Sequence, residues 1–199
     1  MTWQKPNVFV TGGNGFLGTT LVRRLLAAGA RVFCLVKENR PLPHEAIIIP
    51  GLVEDFDLLC DILHDQNIDT VFHLAAQPIV IEARKTPLAA MDTNVKGTYH
   101  LLEAARRWGK LRSFVIASSD KAYGDADVLP YLETHALLGR DPYDASKVCA
   151  DVLAQSYARA FGLPIGIARA GNLYGPGDLQ WSRIVPETVR ALYHGERPI

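Results

Sequence analysis

Two groups of side chains in this sequence have the types and spacing needed for proton transfer. Tyr143 and Lys147 stand four residues apart, which on a helix puts them on one face. Upstream, Ser118-Ser119-Asp120-Lys121 is the densest polar cluster in the chain. A free tyrosine, with a pKa of about 10, is a poor base near neutrality, and an adjacent ammonium favours its phenolate. An aromatic residue and a lysine at this spacing are usually plain helix surface, and a polar cluster is often only a solvated loop. Position in the chain separates these readings. The cluster closes an apolar strand, and in open α/β sheets ligands bind outside the carboxyl ends of the strands. The pair opens the helix that follows Asp141-Pro142, where Asp141 can act as cap and Pro142 sits in the first turn without harm.

The elements that must position these groups start at NVFVTGGNGFLG, Asn7 to Gly18. Val8, Phe9 and Val10 read as a buried strand, Gly12, Gly13, Gly15 and Gly18 as a turn, and Phe16 to Ala28 as an amphipathic helix stopped by Gly29. Strand, glycine turn and helix form the phosphate-binding opening of a dinucleotide fold. One glycine permits the tight turn, one lets the backbone approach a pyrophosphate, and one lets helix pack closely on strand. The helix N-terminus adds free N–H groups and the positive end of a dipole. Further strands are expected at Arg31 to Val36, Ala46 to Ile49, Thr70 to Ala75, Phe114 to Ala117 and Pro164 to Ala168. Between them come a helix from Asp55 to Asp65, the turn Ala76-Gln77-Pro78, a long helix from Pro87 to Trp108, and the helix of Tyr143 to Phe161. In the long helix, Gly97 is a close-packing point and Gly109 the stop. Trp181 to Tyr193 reads as a last amphipathic helix. Such alternation predicts an α/β fold, a doubly wound parallel sheet covered by helices.

The 199 residues suffice for one sizeable core. Lys plus Arg and Asp plus Glu both number 21, so there is no basic stripe for nucleic acid and the expected partner is small. Cys34, Cys60 and Cys149 form no C-x-x-C pair, which argues against a disulfide framework or a metal site and for small buried hydrophobes. No N-terminal apolar segment and no apolar run of about eighteen residues points to export or a membrane span, so a cytoplasmic protein is expected. Repeats, charge runs and low-complexity segments are absent from the sequence.

TGGNGFLG, the strand-end HLAAQ, NVKGT within the long helix, the serine-ended fifth strand and YDASK together resemble the extended short-chain dehydrogenase/reductases that act on nucleotide sugars, the epimerase/dehydratase family. The resemblance spans nearly the whole chain. It implies a Rossmann fold, NAD or NADP as cofactor, a nucleotide-diphosphate sugar as substrate, and Gly12, Gly15, Phe16, Leu17, Gly18, Leu74, Ala75, Ala76 and Gln77 around the cofactor. By the same resemblance Tyr143 is the acid/base, Lys147 lowers its pKa and holds the nicotinamide ribose, and Ser119 hydrogen-bonds the reacting oxygen, with Ser118 as second choice. Gln77, Asn172 and Arg183 are implied on the substrate side, Asn172 at its diphosphate. Relatives also pair two helices across a two-fold axis, so the segments Pro87 to Trp108 and Tyr143 to Phe161 imply a homodimer. Val148, Val152, Leu153 and Tyr157 give the second of these more apolar surface than one sheet face needs.

Within the family, SSDKAYG discriminates. Epimerases typically carry small uncharged residues after the catalytic Ser or Thr, whereas 4,6-dehydratases carry an acid and a second proton-transfer residue. Asp120-Lys121 is most similar to the CDP-glucose 4,6-dehydratases, as is GDLQWSRIVP. The implied reaction has Tyr143 removing the C4 hydroxyl proton as hydride moves to the nicotinamide. Water then leaves across C5 and C6, with Asp120 protonating the 6-hydroxyl and Lys121 near the C5 proton, and hydride returns to C6. Three departures stand out. The acid usual at the end of the second strand is Val36; Glu38 can substitute for it, or Lys37 and Arg40 can welcome a 2′-phosphate, which leaves NAD and NADP both open. Leu52 replaces an acid near the adenine, with Glu54 and Asp55 shortly after. Relatives also continue well beyond Ile199, so residues 1–178 are expected to form the dinucleotide-binding domain and 179–199 the start of an incomplete substrate domain, in a chain expected to bind the dinucleotide yet turn over poorly. An epimerase or 4-ketoreductase, or a non-catalytic dinucleotide-binding module, are the alternatives.

Overall fold

The computed structural model describes residues 5–38, 40–125 and 129–198. Its six strands are β1 (Asn7–Thr11), β2 (Arg31–Val36), β3 (Ile47–Pro50), β4 (Thr70–His73), β5 (Ser113–Ser119) and β6 (Ile165–Ala170). All pairings are parallel, in the order β3-β2-β1-β4-β5-β6. The chain winds outward from β1 to β3, then returns to lay β4 on the other side of β1, so the strand order reverses there. The helices are α1 (Phe16–Ala27), α2 (Phe56–Asp65), α3 (Val80–Lys85), α4 (Pro87–Met91), α5 (Gly97–Trp108), α6 (Pro142–Phe161) and α7 (Ile184–Tyr193).

Alternation along the strands divides the core. Phe9, Phe33, Leu35, Val71, Phe114 and Ile116 pack with Leu59, Ile62 and Leu63 of α2 and Leu101 and Leu102 of α5. Val8, Val10, Val32, Cys34 and Val36 pack with Val22 of α1. A strand buried on both faces reads as a continuous apolar run, which is what VFV and VFCLV are. No helix among the described residues is long and apolar enough to cross a membrane.

The expected sheet is present, and the differences are local. Helix α3 lies between the Ala76-Gln77-Pro78 turn and the long helix, where the sequence reading places no element. The long helix is continuous from Pro87 to Trp108, but Asp92–Lys96 forms a π turn in its middle. Gly97 does pack closely: a Cβ there would collide with Val53. Gly109, at φ +66°, ends the helix in the left-handed conformation. Strand β5 runs through Ser119, since Ser118 and Ser119 pair with Arg169 and Ala170, and Asp120–Tyr123 then forms a 3₁₀ turn. Asp141 occupies the N-cap position of α6 without capping it. Its Oδ2 accepts from Arg84 Nε at 2.6 Å, which ties α3 to the start of α6, while its buried Oδ1 has no hydrogen-bond partner among the described residues.

Candidate active site

The carboxyl ends of the strands open onto a cleft of about 590 Å³. Its walls carry the glycine turn (Gly12, Gly15, Phe16, Leu17, Gly18), Lys37 after β2, Leu74, Ala75 and Ala76 after β4, and Ser119, Asp120 and Lys121 at the end of β5. Tyr143 and Lys147 of α6, and Asn172 and Arg183 beyond β6, complete them. Gln77, expected beside both cofactor and substrate, is not on the wall. Its N–H donates to Asn94 Oδ1 at 2.7 Å, its carbonyl accepts from Asn94 Nδ2 at 3.2 Å, and its Oε1 accepts from the Ile79 N–H at 3.4 Å. These bonds turn it into the scaffold.

The glycine turn is a cradle that side chains would fill. Gly12 has φ +69°, and a Cβ on it would lie 2.8 Å from the Ala75 nitrogen; a Cβ on Gly18 would collide with the Gly12 carbonyl. Helix α1 has no side-chain cap and no acid in its first turn, so its N–H groups and dipole end are offered to the cleft. This geometry fits a pyrophosphate. Among the described residues no group of three or more His, Cys, Asp or Glu is placed to hold a metal ion.

At the other end of the cleft, Ser119 Oγ donates to Asp120 Oδ1 at 3.1 Å and accepts from the Lys121 N–H at 3.2 Å. Ser118, on the opposite side of the strand, commits its hydroxyl to Asp151 Oδ2 at 2.8 Å. Burial raises the Tyr143 phenol above its ordinary value; a hydrogen bond with Ser119 opposes this, Asp120 and Asp144 add to it, and Arg183 opposes it weakly. Lys147 Nζ donates to the Ala117 carbonyl at 2.9 Å, and burial lowers its own pKa to about 8. Desolvation of the phenol dominates, and the ammonium is turned toward the strand.

Sequence reasoning missed two buried networks behind these groups. In the first, Thr98 donates to the Asn94 carbonyl at 2.6 Å, so its oxygen accepts from His73 Nε2 at 3.0 Å; His73 Nδ1 then accepts from Thr11 Oγ1 at 2.7 Å. Thr11 Oγ1 in turn accepts from the Ala75 N–H at 3.2 Å. The bonds assign a neutral Nε2–H tautomer, consistent with burial and the nearby Lys147 lowering the His73 pKa to about 3. Asn94, in the π turn, donates to Ser146 Oγ at 2.8 Å, and Ser146 donates to the Tyr143 carbonyl at 2.6 Å. The chain of bonds thus links the glycine turn to the helix of Tyr143. In the second network, Asp151 accepts from Ser118, Gln155 and both Nε and a terminal nitrogen of Arg169, which hold its carboxyl below the ordinary value although burial pushes it up. Arg169 reaches on to Tyr123 Oη at 2.9 Å and the Glu133 carbonyl at 3.1 Å, tethering the loop after the 3₁₀ turn. His73, Asn94 and Thr98 sit within the HLAAQ and NVKGT motifs, which was their only signal.

A parallel sheet in this order, with a glycine cradle at its centre and a Ser, Tyr and Lys beside it, defines a dinucleotide-binding protein of the short-chain reductase type. The chain belongs to the NAD dependent epimerase/dehydratase family, whose model matches residues 8–199. It is 34% identical to a CDP-glucose 4,6-dehydratase of Salmonella typhimurium, over 99% of this chain and 60% of that protein. Among solved structures, a UDP-glucose 4-epimerase of Thermotoga maritima with UDP-glucose superposes with a TM-score of 0.89 at 29% identity, covering 96% of this chain and 64% of that one. A dTDP-glucose 4,6-dehydratase of Streptomyces venezuelae, solved with NAD bound, gives 0.84 at 30% identity, over 95% and 62%. The chain thus spans about 60% of the length of this curated relative.

Proposed function

We propose that this chain is the dinucleotide-binding and catalytic part of a nucleotide-sugar 4,6-dehydratase similar to those acting on CDP-glucose. The observation that carries the reading is the pair Asp120 and Lys121, on the cleft wall directly after Ser119 and opposite Tyr143. The glycine cradle and the N-terminus of α1 would hold the pyrophosphate of the nicotinamide cofactor, and Lys147 its ribose. When bound, the cofactor takes up reducing equivalents from the sugar and returns them. Tyr143 accepts the C4 hydroxyl proton, with Ser119 hydrogen-bonded to the reacting oxygen. Asp120, protonated, donates to the departing 6-hydroxyl, and Lys121 stands near the C5 proton. Asn172 and Arg183 face the substrate's diphosphate end. Residues 1–178 form the dinucleotide domain, and 179–199 open the substrate domain, whose first helix presents Ile184, Val189 and Leu192 as exposed apolar surface. The working protein is a homodimer, and its three free cysteines suit a reducing cytoplasm.

A single turnover tests the assignment in the protein at its full natural length. Asp120→Asn keeps the shape but removes the proton, so elimination should slow by roughly 10²–10⁴ and reduced nicotinamide should accumulate as absorbance. Tyr143→Phe should block the first oxidation, so that no reduced cofactor appears. Unimpaired elimination in Asp120→Asn would make the cluster a solvated strand end. That outcome would favour an epimerase, the reading supported by the likeness to the Thermotoga maritima enzyme.

A further inference from the structure

We propose that Arg169, acting through Tyr123, is a positioning residue for the elimination step, holding the turn that carries Asp120 and Lys121 in register with the cleft; this rests on the reading of the site as a 4,6-dehydratase. The need arises at the pair itself. Asp120 has a single side-chain hydrogen bond among the described residues, its Oδ1 accepting from Ser119 Oγ at 3.1 Å. Lys121 is exposed, and its ammonium has no partner among them. A general acid works only within hydrogen-bond reach of its target, so the backbone beneath these side chains must supply the precision.

That backbone is held from its far end. Asp120 and Tyr123 begin and end one 3₁₀ turn, at the spacing that places one residue above the other. Tyr123 is 6% exposed, its Oη accepts from a terminal nitrogen of Arg169 at 2.9 Å, and the guanidinium lies 5.1 Å from its ring centre. Tyr131 stacks on Tyr123 at 4.9 Å and donates to the Gly124 carbonyl at 2.8 Å, while the Gly139 N–H donates to the Ala122 carbonyl at 3.1 Å. Arg169 is fixed in its turn. Its Nε and second terminal nitrogen grip the two carboxylate oxygens of fully buried Asp151 at 2.8 and 3.0 Å, and Ser118, beside Ser119, donates to the same carboxylate. A buried ion pair gains little stability over apolar residues of equal volume, so the use of this one lies in its geometry. The planar fork of one guanidinium ties β5, β6 and α6 to the turn after Ser119, which a point charge could not do.

Two variants break the link at different atoms. Tyr123→Phe removes only the oxygen that Arg169 holds, and Arg169→Lys keeps a cation for Asp151 but cannot span both partners. In single turnovers of the protein at its full natural length with CDP-glucose, reduced nicotinamide should form within about twofold of the wild-type rate in either variant, because Ser119, Tyr143 and Lys147 stay in place, and should decay about tenfold more slowly, because elimination precedes the return of hydride. The double variant should be no slower than the slower single one. Amide hydrogen exchange at Lys121 and Gly124, both bonded within the turn, should quicken in the same variants. Gln155→Ala takes a different hydrogen bond from Asp151, so it should lower stability and leave the decay unchanged. Unchanged decay in Tyr123→Phe overturns the inference, as does equal slowing of formation and decay, or a Gln155→Ala variant slowed as much as Tyr123→Phe. Wild-type protein that turns over CDP-glucose without releasing water overturns the dehydratase reading, and this inference with it.

Discussion

Lys147 shows what the site demands of a single side chain. It is 7% exposed, and burial takes its pKa from 10.5 to about 8. Between those values the unfolded chain binds more protons than the folded one, so this residue makes stability rise with pH across the window from about 8 to 10.5. At about 1.4 kcal/mol per pKa unit, the whole effect is roughly 3 kcal/mol. Lys147→Met should remove it. Urea unfolding of both proteins at several pH values should show the variant more stable near neutrality and the wild type catching up as pH rises through the window; parallel profiles would contradict this. That Tyr143, Lys147 and Ser119 would share one cleft was legible because their types and places form a motif. That the Ser118 hydroxyl is bonded to Asp151 while Ser119 bonds Asp120 was not, since it depends on which side of β5 each hydroxyl faces. Nor could the sequence show that the backbone of Gln77 is held by Asn94 and lies off the cleft wall.

At the scale of elements, strands and glycine turn were readable because a sheet buried on both faces leaves continuous apolar runs and because Gly12 and Gly18 have no room for side chains. The π turn at Asp92–Lys96 was not, since the apolar spacing of the long helix carries on through it. Its effect is to seat Asn94 between Gln77 and Ser146. The helix faces need one revision. Leu153 and Tyr157 pack on the sheet-side core rather than outward, whereas Val152 and Phe161 of α6 and Leu88 of α4 are more than half exposed. That outward surface fits the proposed two-fold pairing of helices. Sedimentation at micromolar concentration should show a dimer, and Leu88→Asp with Val152→Asp should give a monomer of unchanged circular dichroism. A wild-type monomer would count against the pairing.

For the whole molecule, the reversal of strand order beside β1 places glycine cradle, serine strand and tyrosine helix around one cleft, although they are far apart in the chain. The same cleft serves epimerases and dehydratases, so the family leaves the reaction open and Asp120-Lys121 is what favours elimination. The most direct test is the identity of the product. The protein at its full natural length, incubated with CDP-glucose, should yield a nucleotide sugar lighter by one water, with a ketone at C4 and a methyl group at C6, read by mass and proton spectra. A product of unchanged mass with inverted C4 would contradict the dehydratase account and make the protein an epimerase.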